Sequence, residues 1–331
     1  MKQVQILTEN EQISSKFNLI IKNSQQILRK LEKKLGKNIL RFALYLFLLD
    51  IAFIFLFPFL HMIVTSLKTN ADLYDPTVNW IPRNFKYQNY VMAYKGLEYF
   101  KYFKNSAIYT VIGTIGHILS CSFIGYGFAR YKVPGDKILF FIVLLGIIIP
   151  IQTLIVPYYM LYANLKWLNT YLPITVPTFF GYGLRGGIFI LVFRQFYFGL
   201  PKALEDAAKI DGCSFLRVYW NIALPVVKSA FIVTLILSIA WHWNDFYEPM
   251  MYNTNSAFHT LPKRLNRIQE LVFNPPKDFF SEYTGLVDQE KVINSAVLMA
   301  ATFQVLLPVI IVFSFLQKKF MQGIERTGLV E

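Results

Sequence analysis

Charge is scarce in this chain: of 331 residues only 16% are Asp, Glu, Lys or Arg, against about 25% in soluble domains. That shortage argues against a soluble enzyme. Cysteine is nearly absent, with Cys121 and Cys213 far apart, so neither a disulfide framework nor a zinc site is indicated. The four histidines, His61, His117, His242 and His259, fall in no paired ligand motif, and no metal is expected. There is no Gly-x-x-x-x-Gly-Lys-Ser/Thr stretch, no nucleophile elbow and no His-Glu-x-x-His. The chain therefore has no P-loop for ATP, no familiar hydrolase chemistry and no catalytic residue to name. Gly181 to Gly186 formally match Gly-x-Gly-x-x-Gly, but no strand precedes them and no βαβ unit surrounds them, so the match carries no dinucleotide site.

What is abundant is apolar surface: 55% of the residues are hydrophobic, including 31 Phe and 20 Tyr, in long runs separated by short polar ones. About 20 apolar residues cross one bilayer core. Six such spans are expected, Ile39 to Leu67, Asn105 to Ala129, Lys137 to Ala163, Leu172 to Leu200, Val227 to Tyr252 and Asn294 to Phe320. The fold class is all-α integral membrane protein. Residues 1–38 read as a basic amphipathic segment, with Phe17, Ile20, Ile27, Leu28, Leu31 and Leu35 at near-helical spacing among lysines. The following apolar run is too long for a cleavable signal, so the first span is expected to remain as an anchor.

The formal charge of +13 follows the membrane's positive-inside bias rather than a nucleic-acid surface, because the basic residues sit between apolar runs. Lys and Arg near the N-terminal segment through Arg41, the 130–137 turn, the 194–228 loop and the tail number 20, against 12 in the opposite loops. Both termini are thus expected in the cytoplasm of a bacterial-type cell membrane. The loops at 68–104 and 253–293, with Pro82, Pro262, Pro275 and Pro276, are long enough to meet an extracytoplasmic partner.

The most informative loop lies between the fourth and fifth spans. It reads Gly-Leu-Pro-Lys-Ala-Leu-Glu-Asp-Ala-Ala-Lys-Ile-Asp-Gly-Cys-Ser from Gly199, then continues through Phe215 to Pro225. Gly199 ends the membrane helix, Pro201 suits the first position of a new one, and Glu205 with Lys209 makes a favourable (i, i+4) pair. Gly212 stops that helix, and a second runs from Phe215 to Pro225. Leu204, Ala207, Ala208 and Asp211 are expected on one side, where the alanines admit another protein's surface.

The Ala207-Ala208 pair, Gly212, and then Ile222, Leu224 and Pro225 resemble the "EAA" loop of ATP-binding-cassette importer permeases. Phe57-Pro58-Phe59 through Thr65-Ser66-Leu67-Lys68, Gly125 to Arg130, Phe193-Arg194-Gln195-Phe196 and Trp243-Asn244-Asp245-Phe246 add to the likeness. Together they are similar to the carbohydrate-importer branch, in particular its smaller maltose-type permease, over roughly residues 40–331. The usual acidic residue before Ala-Ala is here Asp206.

The resemblance implies a type I importer permease fold with a coupling loop at 200–226 and a cytoplasmic tail at 317–331. It implies that Glu205, Asp206, Ala207, Ala208, Asp211, Gly212, Leu224 and Pro225 couple the chain to an ATPase. The implied partners are a second, homologous permease, two copies of the ATPase, an extracytoplasmic solute-binding protein and the lipid bilayer, without nucleic acid. No cofactor is expected on this chain, since ATP and Mg belong to the ATPase. The implied function is ATP-driven import of a carbohydrate of oligosaccharide size.

Candidate pathway residues come from the spans themselves. Trp241, Asn244, Asp245 and Glu248 are expected on one face of the fifth span, where aromatic rings, an amide and carboxylates suit sugars and where an interfacial aromatic belt fits equally. Arg185 falls mid-way along the fourth span within Gly181-Tyr-Gly-Leu-Arg-Gly-Gly187. An arginine there needs water, a charge or carbonyls; it either lines the pathway and attracts an anionic sugar or pairs with a helix end or the companion permease. The glycines suggest a broken or closely packed helix. A secondary carrier driven by an ion gradient is the competing reading, with Asp245, Glu248 and Arg185 as its ionisable groups.

Overall fold

The computed structural model describes residues 37–183, 185–274 and 294–328, with side chains as far as 321. The amphipathic segment expected before residue 37, the loop containing Pro275 and Pro276, and the end of the tail lie outside the described residues. The chain divides into two units, Met1–His61 and Met62–Glu331. In the first unit the described residues belong to α1 (Lys37–Ser66), whose apolar side chains from Ile39 to Leu60 are almost all exposed. A surface of that length, apolar but for Arg41 and Asp50, is what a bilayer solvates.

In the second unit every described element is helical. α2 (Asn70–Tyr74) and α3 (Gln88–Leu97) precede α4 (Tyr99–Arg130). Then come α5 (Asp136–Ile148), α6 (Ile151–Asn164) and α7 (Leu172–Thr175), the last running into a 3-10 turn at Val176–Phe180. α8 (Gly186–Phe198), α9 (Lys202–Ile210), α10 (Phe215–Val226) and α11 (Lys228–Asn244) follow. α12 (Tyr247–Tyr252), α13 (Leu261–Phe273) and α14 (Ser295–Gly328) complete the chain.

α1, α4 and α14 are each long and apolar enough to cross a membrane alone, and counting each of three bent helix pairs as one span raises the number to as many as six by length and composition. Three expected spans are not the continuous helices anticipated. The third breaks between α5 and α6 with a bend of 102°, because Pro150 lacks an N–H and pushes Ile149 into extended backbone. The fourth is interrupted by Gly181 to Arg185, as its glycines suggested. The fifth stops at Asn244 rather than Tyr252.

α4, 32 residues and roughly 48 Å long, is the central post. At its Tyr99 end, Asn105 Nδ2 donates to the carbonyls of Ala257 (2.7 Å) and His259 (2.8 Å). There Arg264 reaches Glu98 at 3.0 Å and Lys101 reaches it at 3.0 Å. The Lys101 hydrogen bond, with the Arg264 charge, holds the Glu98 carboxyl below its ordinary range. A core of Leu97, Tyr102, Trp243, Leu261, Val297 and Val305 ties α3, α4, α11, α13 and α14 together, and Trp243 Nε1 donates to Val305 O at 2.8 Å. At the Arg130 end a second core forms around Tyr126, Phe189, Phe193, Tyr197 and Tyr219.

Gly186 shows how tight the break in the fourth span is. A Cβ there would lie 2.3 Å from the carbonyl oxygen of Gly181, a backbone atom that cannot step aside. Gly186→Ala is therefore expected to lower stability by about 1–3 kcal/mol, read as an earlier thermal unfolding transition in detergent.

Candidate functional site

The 200–226 loop folds as its residues require. Gly199 caps α8 and Pro201 stands at the N-cap of α9, one position earlier than expected. α9 ends at Ile210, and Gly212 takes φ +78°, a backbone conformation natural only to glycine. The N–H groups of Gly212 and Cys213 close the turn onto Lys209 O (3.0 Å) and Ala208 O (2.9 Å). α10 then carries a π turn at Tyr219–Ala223 and leads into α11 with a bend of 77°.

Two expectations about α9 are corrected. Glu205 does not pair with Lys209, whose ammonium lies 3.7 Å from exposed Asp206 instead. Glu205 turns inward, and its carboxylate meets Arg130 Nε at 2.8 Å, each side chain only 4% exposed. Ala208 is likewise buried, so it leaves the side it was expected to share with Leu204, Ala207 and Asp211. Around the helix Ala208 lies between Leu204 and Glu205, and the side toward Glu205 packs on the permease body while 204, 207 and 211 stay outward. The outward stripe is exposed, as are Asp206 and Gly212, and Ile210 beside it is 87% exposed. Leu224 packs into the second core, while Pro225 is exposed.

Arg130 is the residue sequence reasoning passed over. Besides its ion pair it donates from Nη2 to Leu200 O at 2.5 Å, so one guanidinium holds both the entry to α9 and its middle. Beside it, Ser122 Oγ bonds the hydroxyls of Tyr197 (2.8 Å) and Tyr219 (2.9 Å), joining α4, α8 and α10. The coupling loop is thus bolted to the end of the central post.

The other candidate residues separate into two groups. Helix α11 ends at Asn244, and Asp245 adopts extended backbone whose Oδ1 accepts from the N–H of Tyr247 (3.0 Å) and Glu248 (3.4 Å). Asp245 therefore serves the first N–H groups of α12 from the position before its N-cap, Phe246, and the expected sharing of one helical face by Asp245, buried Glu248, Trp241 and Asn244 is not found. Asn244 is exposed and Trp241 half-buried. Arg185, in left-handed backbone at φ +65° and exposed, sets its guanidinium 5.3 Å from the Trp241 ring centroid. Phe189 packs on the same indole at 5.3 Å.

A cation on an aromatic face gains about 0.5–2 kcal/mol, so Trp241 orients Arg185 at the N-cap of α8. Below them, His117 and His242, 125 residues apart, are hydrogen-bonded at 3.1 Å. His117 Nε2 also meets the Tyr182 carbonyl at 3.3 Å. The carbonyl can only accept, so His117 carries its proton on Nε2 and His242 donates from Nε2. These histidines, read as isolated from the sequence, form a clamp from α4 and α11 onto the broken span. Among the described residues no cluster of three or more His, Cys, Asp or Glu side chains is placed to hold a metal ion.

A six-span pattern with a helical knob bolted to the central post has clear relatives. Residues 121–326 match the model of the family described as binding-protein-dependent transport system inner membrane component. The chain belongs to this family. The permease is 29% identical to the arabinooligosaccharides transport system permease protein AraQ of Bacillus subtilis, over 88% of this chain and 96% of the relative. It is 30% identical to the probable starch degradation products transport system permease protein AmyC of Thermoanaerobacterium thermosulfurigenes, over 81% and 89%. Its fold superposes on a chain of a bacterial ABC transporter involved in the import of the acidic polysaccharide alginate, with a TM-score of 0.70 at 18% identity, over 86% and 98% of the two chains.

Family membership makes the protein a membrane-embedded transport subunit rather than an enzyme. It implies, in general terms, partnership with another permease, an ATPase and a binding protein. That replaces the competing reading of a carrier driven by an ion gradient.

Proposed function

We propose that the permease is one half of the pathway of an ATP-driven importer for oligosaccharides, with α9 as the helix through which its ATPase drives it. The observation that carries the reading is the division of α9 into an inward stripe, fixed by Glu205 and Ala208, and an outward one left bare. Leu204, Ala207 and Ile210 expose apolar surface beside Asp206 and Asp211 on a nine-residue helix. Burying one such aliphatic side chain gains about 1.5–3 kcal/mol, which favours a seat in a partner's cleft.

A helix held rigidly from behind passes a push into the spans, where a loose loop would absorb it. Asp206, Ala207, Asp211 and Gly212 are the docking residues, and Glu205, Ala208 and Leu224 hold the helix in place. The charge bias across the loops supports cytoplasmic termini and a cytoplasmic α9, hence an assembly with two ATPase copies, which carry the ATP and Mg, one beneath each permease half. The substrate class is supported by the relatives named for arabinooligosaccharides and starch degradation products.

Asp206 is exposed, so reversing its charge leaves the fold intact. Extraction of the complex in mild detergent through a tag on this chain is expected to recover an ATPase and a second permease. With Asp206→Lys the ATPase is expected to be lost and the second permease retained. A chain that purifies alone and transports without ATP would sink the proposal.

A further inference from the structure

We infer that Arg185 is the recognition point for a carboxylate on the transported sugar, so that the pathway takes uronate-bearing oligosaccharides. This rests on the oligosaccharide reading above and narrows it.

The position is built rather than incidental. Gly181 donates its N–H to Ser120 Oγ at 3.1 Å, and Ser120 in turn donates to Thr178 O at 2.6 Å. His117 reaches Tyr182 O, and Cys121 Sγ lies 3.6 Å from Gly186 O. Three side chains of α4 thus grip the backbone on both sides of Arg185. The left-handed backbone at Arg185 itself, unfavourable for a side chain as large as this, is held by that frame and turns the guanidinium onto Trp241.

The guanidinium is left without a counter-charge. Among the described residues Arg185 forms no ion pair, as is also true of Arg41, Arg194 and Arg217, and of these it is the one that the broken span, leaving it exposed, aims onto Trp241. An aromatic contact fixes the plane of a guanidinium while leaving its N–H groups available. One planar fork carrying one charge matches one planar carboxylate through two parallel hydrogen bonds. Asn244, exposed one turn beyond Trp241 on the same face of α11, adds an amide suited to ring hydroxyls. A neutral sugar has no group that answers the charge.

The test uses the complete transporter, with its companion permease, ATPase and binding protein, in proteoliposomes. Its probes are galacturonate and mannuronate trisaccharides and their carboxyl-reduced counterparts. Wild type is expected to import at least one acidic trisaccharide. Arg185→Gln is expected to lower that uptake by about tenfold or more while uptake of the neutral counterpart is unchanged, and Arg185→Lys to recover part of the loss. Equal loss of acidic and neutral uptake, with the companion permease missing from the purified complex, would show that Arg185 pairs with the companion and overturn the inference. Unchanged acidic uptake in Arg185→Gln would overturn it too. A wild type that imports the neutral probes and refuses the acidic ones would overturn it while leaving the oligosaccharide reading standing. A wild type that is stimulated by none of the probes would count against both.

Discussion

Arg130→Ala is expected to disconnect ATP hydrolysis from uptake in a permease that still inserts in the membrane. The substitution strands the Glu205 carboxylate in a site where it is 4% exposed, and removing one member of a buried ion pair costs about 3–5 kcal/mol. That sum exceeds what a nine-residue helix holds by itself, since isolated helices shorter than about 12–15 residues are marginal in water. α9 then swings outward to hydrate Glu205, and the outward stripe of Leu204, Ala207 and Asp211 loses its aim.

The loss is expected in both ATPase recovery and ATP-driven uptake, compared at equal amounts of permease in the membrane. Glu205→Gln should be milder, because a neutral amide can still accept from the guanidinium. The pair Arg130→Met with Glu205→Leu should recover ATPase binding relative to either single change, because apolar groups of similar volume often replace a buried ion pair at little cost. Full coupling in Arg130→Ala would remove Arg130 from the force path.

Gly212→Pro is expected to abolish ATP-driven uptake outright. Proline is locked near φ −65°, and Gly212 sits at +78°, so the turn between α9 and α10 cannot close. The substitution also deletes the N–H that bonds Lys209 O. Gly212→Ala meets no neighbouring atom and pays only for left-handed backbone, about 1–2 kcal/mol, so partial uptake should survive. The graded pair separates the turn's conformation from any contact of the side chain, and uptake that is unchanged in the proline variant would end the coupling assignment.

Much of this permease was legible in its residues because the responsible forces are local. Apolar runs long enough for a bilayer announce the spans, and glycines and prolines announce where they stop. The end of α8 at Gly199, the turn at Gly212 and the break around Arg185 follow from backbone preferences that need no neighbour. The bend at Pro150 was open to the same reasoning, but the apolar run continues through it and hides the break.

Helical spacing misplaces these groups for one reason. Continuing a helical period past Asn244 puts Asp245 and Glu248 on the face of Trp241. Asp245 instead uses its carboxylate on the N–H groups of Tyr247 and Glu248, a local hydrogen bond that competes with the helix. A spacing of four offers Lys209 to Glu205, while the partner it has lies 75 positions earlier in the chain. Helical spacing cannot see Arg130, nor that His117 and His242 lie within a hydrogen bond of each other.

By itself, then, the sequence determined that the chain lives in a membrane, how many times it crosses, and that a helical knob with an Asp-Ala-Ala signature interrupts the crossings. Those properties depend on hydrophobic run length and on turn chemistry, which act over a few residues. Tertiary structure alone decided which side of the knob is free, which arginine holds it and which arginine remains uncompensated beside Trp241. Each of those depends on charges and rings brought together across many tens of residues, and at the Arg130–Glu205 pair burial removes the water that would otherwise make the choice of partner nearly indifferent.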